Sequence, residues 1–411
     1  MKLSRYAIAA VSAALLIPLL TVGATADPAG ASPAPLTIAF ITSETGAAAS
    51  DYAGDVGVFE ARIDEQNALG GVNGHKLVPL VIDDQTSPTL ISSAIQSAIA
   101  KGAIGIVSSS PVFFLGAKYA QEAGVPVTGD DSDGPEWGTQ PYTNMFSADF
   151  GSLDPKYPVN MLYGKVNKLF GGTRQAVYAI GISPNSTRAN SDEAQSFARV
   201  GGQTPVNDTS VPYGGVDFTA TALAAKQANV NILWPNLDGA SDFALAKAYK
   251  QAGIKLEAAL FPDGFQYSLI GTPAWQYVQG DIFEVEYHPF QLPNAGTKQM
   301  QAILEKYDHY SKAQFPSFAS AGAWLGADLM IKGLEGAGKN PTHASTIKSL
   351  RSIKSYNGNG LLPVTINYST IFGHDPSICV WLLKAEKNGF VPVQKNPVCG
   401  QDIPGTAAAA S

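Results

Sequence analysis

The chain has 411 residues, a formal net charge of −7 and only 15% charged residues against 45% hydrophobic ones. An acidic chain without a basic run excludes nucleic acid and anionic membrane surfaces as main partners, and two cysteines with five scattered histidines offer no metal-ligand spacing. This length exceeds what one hydrophobic core serves, so two lobes are expected.

Lys2 and Arg5 precede a largely apolar run, Ala7 to Leu20, and the segment ends in Ala24-Thr25-Ala26, the small-x-small pattern of a secretory cleavage site. Residues 1–26 are therefore expected to be a signal peptide. The competing reading is an uncleaved membrane anchor, against which Pro18 and the cleavage pattern argue. No cysteine stands at the cleavage site to carry a lipid. No later segment approaches about 18 unbroken apolar residues, so a soluble protein of the periplasm, cell wall or extracellular space is expected.

A Pro/Ala/Gly/Ser linker, residues 27–35, leads into the β-rich run Leu36 to Ile41. Val56, Phe59, Ile63 and Leu69 recur at nearly helical spacing, and Gly70-Gly71 can end that helix in left-handed geometry. Asn73-Gly74 then turns the chain into a strand from Leu77 to Asp83. A helix near Pro88 to Lys101, a strand Ile104 to Val107, a helix Pro111 to Ala123 and a strand Val125 to Thr128 follow. The alternation starts again with a strand Ala176 to Ile180, a helix near Ser191 to Val200 and a short strand near Thr209 to Tyr213. Next come a helix near Asp217 to Ala228, a strand Asn231 to Trp234, a helix near Ser241 to Ala252 and a strand Ala258 to Phe261. Helical patterns near Lys298 to Ser311, Phe318 to Leu334 and Ser345 to Ser352 precede a terminal strand region. Strands joined by helices imply α/β lobes, each with a doubly wound parallel sheet covered on both faces.

Cys379 and Cys399 flank two strand patterns around a turn at Asn388-Gly389, which can bring them together. In an oxidising compartment they are expected to pair rather than remain as two free thiols, adding ~3 kcal/mol by restricting the unfolded chain.

The run GGVNGHKLVPLVIDD (Gly70 to Asp84), with Ser108-Ser109-Ser110 and EAGVPVTG downstream, resembles the type I periplasmic-binding-protein superfamily, in particular branched-chain amino acid and amide receptors of ABC importers. Tyr142 to Phe146, the alanine-rich FASAGAWLGADLMIKGLEGAG and the closing GFVPV are also similar. The resemblance implies two lobes joined by a three-segment hinge with crossings near Phe146, Tyr287 and Leu361. Lobe 1 would comprise 36–146 and 287–360, lobe 2 147–286 and 361–402, with 403–411 a disordered tail. It further implies a monomer that closes on a small polar solute, an amino acid, amide or related compound, and delivers it to membrane permease subunits, with no cofactor.

Parallel sheets hold ligands beyond the carboxyl ends of their strands, which singles out several residues. Ser110 precedes Pro111 and so reads as the N-cap of a helix whose amides face the cleft, with Ser109 beside it; the alternative is a cap and turn filler. Ser43, in the loop after the first strand, is either a ligand contact or part of an ordinary polar turn. The resemblance matches Asp263 with the acidic residue that holds a ligand ammonium, while Pro262-Asp263-Gly264 also reads as a surface turn. Ser132 is the only hydroxyl in a loop with Asp130, Asp131 and Asp133. Those aspartates either point to solvent and cap a helix begun near Pro135, or face a ligand that is a cation, amide or polyol. Asn236 and Asp238 are hydrogen-bonding candidates, Trp234 a wall or core residue, and Tyr52 and Phe113 side-chain contacts or buried packing. SPNST, Ser183 to Thr187, and WPNLD, Trp234 to Asp238, lack tyrosines that relatives often show there.

The rival readings are a secreted hydrolase and a secreted sensor or scavenger of the same fold without transport. No G-x-S-x-G, H-E-x-x-H or G-x-x-x-x-G-K-[ST] occurs, so the chain is not expected to be an enzyme.

Overall fold

The computed structural model describes residues 33–129, 133–137, 141–148, 158–307, 315–369, 378–404 and 406. The expected signal peptide, Asp130, Asp131 and Ser132 lie outside the described residues.

The first lobe is built from β1 (Leu36–Thr42), α1 (Asp55–Ala68), β2 (Leu77–Asp83), α2 (Ile91–Ala100), β3 (Ala103–Ser109), α3 (Ala117–Ala123), β4 (Val127–Gly129) and β5 (Met145–Ser147). Its five strands pair in parallel in the order β2-β1-β3-β4-β5. Strand periodicity divides β1 between two cores: Ile38 and Phe40 pack on one face with Phe59, Ile63 and Met330, whereas Ala39 and Ile41 pack on the other with Ile91, Ile95 and Phe113. Phe40 and Phe59 stack with centroids 4.5 Å apart.

The second lobe follows with α4 (Leu162–Leu169), β6 (Arg174–Ile180), α5 (Pro184–Arg199), β7 (Gln203–Val211), α6 (Thr219–Gln227), β8 (Ile232–Asn236), α7 (Gly239–Gln251), β9 (Ala258–Phe261), α8 (Trp275–Val278) and β10 (Ile282–Val285). The chain then returns to the first lobe, where α9 (Ala295–Lys306) and α10 (Phe318–Gly336) pack on α1 and α11 (His343–Ser352) packs on α10. It ends on the second lobe with β11 (Cys379–Glu386), β12 (Gly389–Pro392) and β13 (Val398–Cys399). The second sheet runs β12-β11-β10-β9-β8-β6-β7, parallel from β7 to β10, with β11 and β12 antiparallel and β13 paired to β11. Cys379 and Cys399 face one another in that pair and form a disulfide. Past β13, Ile403 and Thr406 both hydrogen-bond Val159, so these residues of the expected tail are held to the second lobe. None of the described helices is long and apolar enough to cross a membrane.

Several elements depart from the sequence expectation: β5, α4 and α8 were not anticipated, β7 starts at Gln203 and not near Thr209, and three further departures have a local cause. No α-helix starts at Pro111: Phe113–Leu115 form one 3-10 turn and α3 begins at Ala117. Phe113 is drawn into the core against Trp137, and a side chain at Gly116 would collide with Ile95, so the chain hugs α2 there and the helix is interrupted. α5 starts seven residues early, because Ser183 accepts the amide of Ser186 at 3.0 Å and Pro184 sits in its first turn. The whole SPNST segment is thus helix start rather than loop. β10 was not anticipated, although IFEVEY alternates apolar and acidic residues with the period of a strand.

Candidate functional site

Strand order reverses at β1/β3 in the first sheet and at β6/β8 in the second, so the loops after these strands border a crevice at each carboxyl edge. Ser43 and Ser110 stand on the first-lobe loops and Ser109 ends β3; all three are buried. Ser43 Oγ donates to Asp84 Oδ1 at 2.6 Å, Ser110 Oγ donates to Asp84 Oδ2, and the Thr86 amide donates to Oδ1 at 2.8 Å. Ser109 Oγ donates to Asp55 Oδ2 at 2.7 Å, and Ser320 Oγ of α10 donates to the other oxygen at 2.8 Å. Burial nevertheless pushes the Asp55 carboxyl up to about 7. The three hydroxyls are therefore engaged by the chain's own carboxylates. Ser110 also accepts the Val112 amide at 3.3 Å, a local turn and not an α-helix cap.

On the second lobe, Asn236 Nδ2 donates to Asn190 Oδ1 at 3.0 Å and Glu193 Oε1 at 2.8 Å, both on α5. Asp238 caps α7: its carboxylate accepts the Ser241 amide at 3.1 Å, the Ser241 hydroxyl at 2.6 Å and the Gly214 amide at 2.9 Å. Trp234 packs in the core, edge-on to Tyr163. Tyr52 is buried with Ala48 and Ala319, against Phe318.

Carboxylates join the two lobes. Asp51, on the loop before α1, accepts the Gly239 amide at the start of α7 at 3.0 Å and the Gln266 side-chain amide at 3.3 Å. Burial, with Asp238 and Asp133 adding repulsion, pushes Asp51 up to about 7. Asp133 is half-buried and does not point to solvent, as one reading of its loop had it. It accepts the hydroxyls of Ser183 and, at 2.7 Å, Tyr213, both from the second lobe, and burial pushes it up to about 6. Tyr213 also donates to the Pro111 carbonyl at 3.2 Å.

Between the lobes lies a cavity of about 80 Å³, bounded by Pro262, Asp263, Glu284, Glu286 and Tyr287 on one side, Phe318, Gly322 and Leu325 of α10 on the other, and Leu362. It has room for several waters or for one small head group with a short carbon chain. Asp263 thus reaches the cavity, whereas Ser43, Tyr52, Ser109, Ser110, Asn236 and Asp238 are not among its walls. Glu284 Oε2 is buried without a hydrogen-bond partner, and desolvation pushes the group up to about 8. Behind Asp263, the fully buried Asp242 of α7 has both carboxylate oxygens without a partner, and burial with the Asp263 charge raises its pKa strongly. The described histidines bond main-chain carbonyls: His75 those of Ala34 and Lys339, His288 that of Pro289, His343 that of Ala103. Among the described residues no group of acidic, cysteine and histidine side chains is arranged to hold a metal ion.

Sequence reading missed Asp51, Asp55, Asp84, Tyr213, Glu284 and Glu286. The apolar-acidic alternation from Phe283 to Tyr287 was a usable signal for Glu284, which lies in β10, and for Glu286 just past its end. Asp51 carries none, because its partner lies on another lobe.

Two doubly wound lobes with their crevices facing define the fold of the type I binding proteins. The periplasmic binding protein family matches residues 35–389, and the chain belongs to it. The leucine-binding protein LivK of Thermotoga maritima has a similar structure, with a TM-score of 0.73 at 19% identity over 87% of this chain and 98% of that one. A solute-binding protein of an ABC transporter from R. palustris, solved with benzoate, gives 0.73 at 15% over 90% and 99%. The fatty acid ABC transporter substrate-binding protein of Thermomonospora curvata gives 0.74 at 14% over 92% and 95%. No curated protein matches the chain in sequence.

Proposed function

We propose that the protein is an exported receptor of an ABC importer that captures a small polar solute between its lobes, closes on it and presents the closed form to a membrane permease. The observation that carries this is the interlobe cavity, where acidic groups from the second lobe meet an apolar helix face from the first. Such a cavity, mostly apolar with a few placed polar groups, suits a ligand that bridges both lobes and so favours closure. The resemblance to proteins solved with benzoate and isoleucine, and to one named for fatty acids, supports a receptor role and leaves the solute to this chain's own residues. The test is to denature protein purified from its native host, identify released solutes by mass spectrometry, and return them to the folded protein. A bound solute should raise stability by ~2.7 kcal/mol at about one hundred times its dissociation constant, unchanged by prolonged incubation. Turnover of the solute, or no solute effect on stability or dimensions, would overturn the reading.

A further inference from the structure

We infer that the cleft selects a solute carrying a cationic nitrogen, a primary amine or guanidinium on a short carbon chain, and lacking a carboxylate; this rests on the receptor reading above. Two independent observations carry it. First, the polar walls of the cavity include Asp263, Glu284 and Glu286, none of its described walls is basic, and Glu284 has a buried carboxylate oxygen that no hydrogen bond satisfies. A buried ionised carboxylate needs a charged partner, which a ligand ammonium supplies. Phe318 and Leu325 offer the apolar surface on which a carbon chain lies, and an aromatic face also attracts a cation.

Second, the first-lobe hydroxyls of Ser43, Ser109 and Ser110 are given to Asp84 and Asp55 and stand outside the cavity walls, so a ligand carboxylate in the cavity finds none of these donors. It would also stand beside like charges. An amine without a carboxylate meets neither obstacle.

Among the described residues, Asp263 and Glu286 share the cavity lining with Glu284, and Glu193 of α5 and Tyr163 of α4 lie within its electrostatic reach; none of these is basic. A bound cation favours ionised Glu284, so binding should draw a proton off Glu284 and gain from this group as pH rises towards about 8, a component that Glu284→Gln removes and that is separate from proton uptake at the lobe contacts. Purely structural burial of Glu284 predicts no such release.

The experiment is calorimetry on the full mature protein with putrescine, agmatine, leucine and benzoate, in two buffers of different ionisation heat. The expected result is binding of putrescine or agmatine with more proton release in the parent than in Glu284→Gln, and leucine and benzoate at least tenfold weaker. Glu284→Gln should weaken the amine tenfold or more without lowering the ligand-free melting temperature, and Asp263→Asn, a second variant, should weaken it as well. Binding of leucine or benzoate in preference to both amines overturns the cation inference and leaves the receptor reading standing. If none of the four binds and no solute is recovered from native protein, the receptor reading fails and takes the inference with it.

Discussion

Asp51 of the first lobe and Gly239 of the second are joined by a hydrogen bond of 3.0 Å, the carboxylate accepting the first amide of α7. A helix N-terminus favours a negative group, yet burial pushes this carboxyl up to about 7, with Asp133 in a parallel contact at about 6. Both contacts therefore bind protons more tightly when the lobes meet than when they part and the carboxyls return to water.

The sign follows from that difference. Lobe contact is favoured at low pH, and this contribution fades as pH rises from about 4 through about 7. X-ray scattering on ligand-free protein should show smaller dimensions at about pH 5 than at about pH 8, and Asp51→Asn with Asp133→Asn should flatten the dependence. Larger dimensions at the lower pH would contradict the assignment.

Ser43 and Ser110 share Asp84, which is fully buried. Replacing either by alanine removes a hydrogen bond to a charged group and should cost about 1.5–3 kcal/mol of stability without any ligand. Urea unfolding of the ligand-free variants measures it. Unchanged stability would mean that these hydroxyls are not structural.

Gly326 of α10 lies against β3 and β4: a side-chain carbon there would sit 2.9 Å from the Gly129 α-carbon and 2.9 Å from Val107. Thr128 Oγ1 also donates to the Gly326 carbonyl at 2.7 Å, fixing the helix in place. Gly326→Val should destabilise the first lobe by ~1–3 kcal/mol, read as a lower denaturation midpoint. A neutral result would show that α10 can shift away from the sheet.

The Cys379–Cys399 disulfide closes a loop of sequence separation 20. Serine at both positions should cost ~3 kcal/mol, and reducing agent should lower the melting temperature of the parent but not of the double variant. Equal response in both would place the sensitivity elsewhere.

Much of the fold was legible because strand and helix periods are local. The strand from Leu77 to Asp83 and that from Ala258 to Phe261 were bounded correctly from alternation and turn residues alone. The helix expected at Pro111 failed because its fate depends on contact between Gly116 and Ile95, residues on separate elements. β10 escaped because it is only four residues long and carries Glu284 inside it, and its place is fixed by pairing with β9 and β11.

The site divides along the same line. Composition, charge and the order of strand and helix patterns determined two α/β lobes, an acidic surface and loops at the carboxyl edges where polar side chains gather. Which hydroxyl meets which carboxylate was decided only in three dimensions: Ser110 with Asp84, Asp133 with Tyr213, and Glu284 left with an oxygen to spare. Periodicity is a property of neighbours along the chain. The cost of burying a charge depends on what surrounds it in space, and that is set only when the two lobes meet.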